Sequence, residues 1–180
     1  MENVKIIRSD RKTISVRVER DGSVVVRAPR RAPMREIERF LSAYAPQIED
    51  IRERRMAENA VPRLNEEELV SLKKEALPVF ESRARHVAPL LGVEYRHIGV
   101  GSQRSRWGIC SAKGNLRFNC LLLLAPPEVL DSVVVHELCH LREMNHSPRF
   151  YALVRSVFPD YDAAHGWLKE NGGKLVARLP

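Results

Sequence analysis

Val133-Val134-Val135-His136-Glu137-Leu138-Cys139-His140-Leu141-Arg142-Glu143-Met144-Asn145-His146-Ser147-Pro148 is the stretch on which the reading of this chain turns. Residues four apart on a helix differ by about 40° around its axis, so the rings of His136 and His140 share one face. The apolar run Val133 to Val135, with Leu138 and Leu141, predicts that this helix is buried. An H-E-x-x-H spacing brings two imidazoles to one zinc ion at about 2.0–2.1 Å. Glu137 cannot join them as a ligand, but it reaches a water on the metal.

A catalytic zinc usually has three protein ligands and one open position. His146 lies six residues past His140. On a continuing helix it would sit about 240° around the axis and could not converge with the pair. The expected solution is a helix end at Met144-Asn145, because Asn tolerates the left-handed conformation found there. Ser147 is a suitable N-cap and Pro148 a suitable first residue of the next helix. His146 then falls in a short loop from which its ring can turn back to the metal. Asp160 and Asp162 are the competing third ligands. The same histidine spacing occurs in metzincins, which carry Gly where this chain has Glu143. That difference places the turn later, at Asn145.

Outward from this stretch, the chain of 180 residues fits one medium domain or one domain with an appendage. Alternation at Val4, Ile6, Ile14, Val16 and Val18, and the Asp21-Gly22 turn before Val24-Val25-Val26, predict a β-hairpin unit within 3–28. Helical spacing follows from Pro33 through Ile37, Leu41, Ile48 and Ile51. Asn65 caps a second helix whose first turn is acidic at Glu66, Glu67 and Glu68. Pro89 and Gly92 mark its end. Strands are expected over 93–100 and 105–120, split by a turn at Lys113-Gly114-Asn115. Pro126-Pro127 opens the motif helix, two short helices follow, and Gly172-Gly173 closes the ordered part. The expected architecture is α+β, with 1–64 as a β-rich unit plus helix packed on a core of 65–180.

The net charge is +7, and it is uneven. Residues 1–64 carry 15 Lys+Arg against 10 Asp+Glu, whereas 126–180 carry 6 against 7. Arg27, Arg30, Arg31 and Arg35 form the densest basic group. A solvated surface accounts for it most simply; nucleic acid or an acidic partner is the alternative. No apolar run approaches the length of a membrane span, and Met1-Glu2-Asn3-Val4-Lys5 opens no signal peptide. Cys110, Cys120 and Cys139 make an odd count, which points to free thiols and a cytoplasmic setting. His86, His97 and His165 read as structural or surface residues.

Arg106-Trp107-Gly108, Gly114, Asn119, Leu121, Pro126-Pro127, Val134-Val135-His136-Glu137-Leu138, His140-Leu141, Asn145-His146-Ser147, Phe150, Pro159-Asp160-Tyr161 and Trp167-Leu168 together resemble the YgjP-like metallopeptidase domain, related to the SprT and WLM groups. The likeness spans about 95–172. It implies a minimal zincin-like core with a small antiparallel sheet, zinc on His136, His140 and His146, and Glu137 as catalytic base. It also implies a substrate cleft along the 106–120 hairpin. Ile109 stands where Ser is expected and Tyr151 where Trp is expected, neither touching the ligands.

The expected activity is hydrolysis of peptide bonds in a peptide or protein substrate, by a zinc-bound water and Glu137. Arg106 and Trp107 are the candidate substrate-binding residues, although Trp107 could equally pack between sheet and helix. Arg106, His165, Tyr151 and Tyr161 are unranked candidates for stabilising the oxyanion. The rival functions are an idle zinc module with a basic binding surface and a zinc hydrolase of non-peptide substrates.

Overall fold

The computed structural model describes residues 4–19 and 21–180. Met1, Glu2 and Asn3, part of the stretch in which no signal peptide is read, lie outside the described residues, as does Arg20. The chain divides into two compact units, Met1–Pro62 and Arg63–Pro180.

The first unit contains strands β1 (Val4–Ser9), β2 (Ser15–Val18) and β3 (Val24–Pro29), then helices α1 (Met34–Ala43) and α2 (Ala45–Asn59). β3 is the centre of the sheet, antiparallel to β2 and parallel to β1. The β2–β3 turn is held by Glu19 and Ser23 backbones, with Gly22 at φ +79 where a side chain would be strained. Val24, Val26 and Ala28 point inward with Ile37, Leu41 and Ile48, forming a core of their own. The helical run expected from Pro33 is two helices, not one. Pro46 has no N–H to donate and crowds the preceding turn, so the helix restarts around Tyr44.

The second unit begins with α3 (Glu66–Leu91). Asn65 Oδ1 accepts from the Glu68 N–H at 2.8 Å, and Glu68 Oε2 accepts from the Asn65 N–H at 2.8 Å. This reciprocal cap satisfies two helix-end donors. Pro89 lies inside the helix, and Gly92, in the left-handed conformation, ends it. Three short strands follow: β4 (His97–Gly101), β5 (Gly108–Cys110) and β6 (Asn115–Asn119). A 3-10 turn over Cys120–Leu124 leads to α4 (Pro127–Cys139), α5 (Pro148–Val157) and α6 (Tyr161–Ala177).

The fold is α+β, as expected, but the sheet is mixed rather than antiparallel. β6 is central, antiparallel to β5 and parallel to β4. The strands are also shorter than the alternation implied, because 102–107 leaves the sheet as a loop. α3 packs against α4, β4 and the 3-10 turn. Phe80 of α3 and Phe118 of β6 stack with centroids 4.7 Å apart, both fully buried. Burial of each ring contributes roughly 1.5–3 kcal/mol.

Two helix ends differ from expectation. α4 stops at Cys139 instead of running to Met144-Asn145. Its last turn tightens: Leu141 N–H donates to Leu138 O and Arg142 N–H to Cys139 O, and the chain leaves immediately after His140. α6 runs straight through Gly172-Gly173 to Ala177. A Cβ at Gly172 would lie 2.8 Å from the Trp107 ring, so this glycine is a helix surface cut away for an aromatic knob. Among the described residues, no helix is long and apolar enough to cross a membrane.

Candidate active site

α4 is buried over Val133, Val134, Val135, Leu138 and Cys139, which fixes its rotation. His136 and His140 consequently share the face that opens into a cleft of about 440 Å³. Ser147 caps α5 by accepting from the Phe150 N–H at 3.3 Å, as the sequence implied. That cap places His146 in the loop directly before α5. The ring nitrogens of His136, His140 and His146 lie within 4.8 Å of one another. Nε2 of His146 is 3.0 Å from Nε2 of His136.

The donor set fits a metal cation. His140 Nδ1 is 3.1 Å from the Glu143 carbonyl, which can only accept, so Nδ1 carries the proton and Nε2 is left unprotonated. His136 Nδ1 is 2.8 Å from the Tyr161 hydroxyl. Burial and the neighbouring imidazoles push His136 down to about 3, and burial lowers His140 as well. Both are therefore neutral at physiological pH, the form in which an imidazole can bind a metal. His146 Nε2 and His136 Nε2, 3.0 Å apart, are close enough to share one cation, or one proton in its absence. Three imidazoles and an open cleft match a three-ligand site with a free coordination position.

Phe150, fully buried, forms the floor. Its ring stacks on His140 at 4.5 Å and meets His136 and His146 edge-on. Sequence reasoning gave Phe150 no such role. The i to i+3 offset from the Ser147 cap was the available signal. Tyr151, expected to leave the ligands untouched, stacks on His146 at 6.0 Å and 26°. That expectation is corrected: the Tyr151 substitution lies against the third histidine.

Glu137 is 7% exposed and lines the cleft beside the histidines. Burial pushes its carboxyl up to about 7. A cation on the imidazoles would draw it down again. Its side chain lies against β5 at Gly108, where an added Cβ would fall 2.5 Å from Oε1. The importance of this glycine comes from a strand far from the motif in sequence.

Arg106 and Trp107 both line the cleft. Arg106 is exposed, and its carbonyl accepts from Asn119 Nδ2 at 3.0 Å. Trp107 lines the cleft and also packs against α6 at Gly172. His165 is exposed, lines the same cleft, and stacks on Tyr161 at 5.5 Å, so it is more than an isolated surface histidine. Asp160 and Asp162 are not brought to the histidines. Asp162 is engaged by both Arg155 nitrogens at 2.8 and 3.0 Å, and Asp160 is exposed. Cys110 lines the cleft, with its thiol pushed up to about 11 by burial and by Glu137. Cys139 points into the core and is fully buried.

No curated protein matches the chain in sequence. A solved structure, the metallopeptidase zymogen abylysin of Pyrococcus abyssi, aligns with part of the chain. It has 22% identity and a TM-score of 0.45, with 50% of this chain and 93% of that chain covered. Residues 69–171, which include every strand of the second sheet, α4, α5 and the three converging histidines, match the YgjP-like metallopeptidase domain, and the chain belongs to that family.

Proposed function

We propose that this protein is a zinc metallopeptidase of the H-E-x-x-H type, with zinc held by His136, His140 and His146. The observation that carries the reading is the convergence of three imidazoles beside a buried carboxyl, Glu137, in an open cleft. When bound, zinc supplies Lewis acidity and brings the pKa of a water in its open position near 7. Glu137 takes a proton from the attacking water and returns it to the leaving amine. The peptide lies along β5, an edge strand whose outer side is free to pair, between Trp107 and Arg106 on one wall and Leu168 on another. The free thiols Cys110, Cys120 and Cys139 support a cytoplasmic setting.

The test is Glu137→Gln against a mixed peptide library. The variant is expected to retain zinc by elemental analysis and to lose cleavage by about 10²–10⁴-fold. An equally active variant, or a wild type that takes up no metal on reconstitution, defeats the proposal. His146→Ala is expected to release zinc more readily than Asp160→Ala or Asp162→Ala.

A second reading is a binding surface for nucleic acid on the first unit. Lys5, Arg17 and Arg27 are exposed on the sheet face opposite the core, and among the described residues only Arg17 has a carboxylate partner, Glu19 at 3.6 Å. Arg30 is instead paired with Asp10, and Arg35 stands on α1. Replacing Lys5, Arg17 and Arg27 with Ser should weaken retention of single-stranded nucleic acid and flatten its salt dependence. Unchanged retention rejects this reading and leaves the peptidase proposal intact.

A further inference from the structure

We propose that Tyr161 is a positioning residue of the metal site, accepting from His136 Nδ1–H so that the ring presents Nε2 to the ion. The proposal rests on the zinc reading above. Tyr161 Oη lies 2.8 Å from His136 Nδ1. The two rings are 18° from parallel with centroids 6.0 Å apart, and Tyr161 is 3% exposed. A neutral imidazole carries one proton. With the proton on Nε2, His136 cannot ligate through that nitrogen, and its Nδ1 faces Oη instead. With it on Nδ1, that N–H donates to Oη and Nε2 faces His146 Nε2 at 3.0 Å. When Nε2 serves the ion, the hydroxyl accepts from the Nδ1–H and fixes the ring plane.

His136 and His140 are held by partners of different kinds. His140 is oriented by the Glu143 backbone carbonyl, three residues away, which no substitution removes. His136 is oriented by a side chain from the first turn of α6, 25 residues on. That turn is itself anchored: the Tyr161 N–H donates to Phe158 O at 3.1 Å, and Asp162 is clamped by Arg155 of α5. α5 in turn carries Phe150, the floor under all three histidines. Tyr161 thus joins α6 to the ligand helix at the ligand itself.

Zinc affinity by competition with a chromophoric chelator tests the assignment in the full-length protein. Tyr161→Phe keeps the buried ring and removes the acceptor. Its zinc affinity is expected to fall 10- to 100-fold, the usual effect of losing such a partner. The cobalt-substituted protein should show a shifted visible absorption band, with little change in metal-free melting temperature. Arg155→Ala removes an exposed ion pair but leaves the Phe158 O anchor and Oη in place. Its zinc affinity should therefore fall less than that of Tyr161→Phe. An equal or larger fall would show that helix docking rather than Oη sets the affinity. Zinc affinity of Tyr161→Phe within about twofold of wild type overturns the proposal. So does a nitrogen NMR spectrum of the zinc-loaded wild type in which His136 is protonated at Nε2, a readout that needs no variant to fold. Failure of the wild type to bind zinc at all would be seen first in the same titration, and it would sink the underlying metal reading instead.

Discussion

Gly108 shows how one absent methyl group shapes the site. Glu137 occupies the space a Cβ at 108 would fill, 2.5 Å from Oε1 and 2.7 Å from Cδ. Backbone on β5 and on buried α4 cannot yield easily, so Gly108→Ala should displace the carboxyl rather than the strand. The three atoms nearest that Cβ all belong to Glu137, so zinc affinity should stay within about threefold of wild type. On the proposed role of Glu137, kcat/KM should fall by about 10²-fold, the scale of an ångström-sized misplacement of a reacting group. Steady-state kinetics paired with chelator titration separates the two effects. Retained kcat/KM would show that the carboxyl position is not critical. Loss of zinc alone would show that the glycine supports the ligands instead.

At the scale of elements, local signals and distant contacts divide what could be read in advance. The Asn65 cap, the Ser147 cap and the loop at His146 were legible because each depends on residues within four positions. The end of α4 was not, because nothing at 140–141 breaks a helix; the tightened turn after Cys139 and the His140 contact to Glu143 do that work. The parallel pairing of β4 with β6 was equally hidden, since alternation reports which face is buried and not which neighbour is chosen. Gly172-Gly173 looked like a stop because the glycine's partner, Trp107, is 65 residues earlier. Two predictions belong here. Asn65→Ala removes the α3 cap and should cost about 1 kcal/mol in chemical denaturation, with activity unchanged. Gly172→Ala adds a good helix former, worth up to about 1 kcal/mol on an open helix. Here the Cβ would meet the Trp107 ring at 2.8 Å, so the expected result is a net loss of stability and quenched or shifted Trp fluorescence. A stabilised variant with an unmoved spectrum would show that Trp107 does not depend on the gap.

For the whole molecule, the two units have separate cores. Val24, Val26, Ala28 and Ile37 belong to one, and Phe80, Phe118, Leu138 and Phe150 to the other. The three histidines all lie in the unit Arg63–Pro180. A ligand stabilises only the cooperative unit whose folded state binds it, by RT ln(1 + [L]/Kd). Free zinc at a hundred times Kd supplies about 2.7 kcal/mol by that relation. With an unfolding entropy of about 2.1 cal/mol/K per residue, this raises the melting temperature of a unit this size by about 10 °C. Calorimetry of the full chain should therefore resolve two transitions, one indifferent to zinc and one moving upward with it. Chelator should return the mobile transition to its starting point, and His146→Ala should hold it there even with zinc present. A single transition that rises as one with added zinc would mean that the units unfold together. A zinc shift confined to the transition of Met1–Pro62 would contradict the assignment of the ligands.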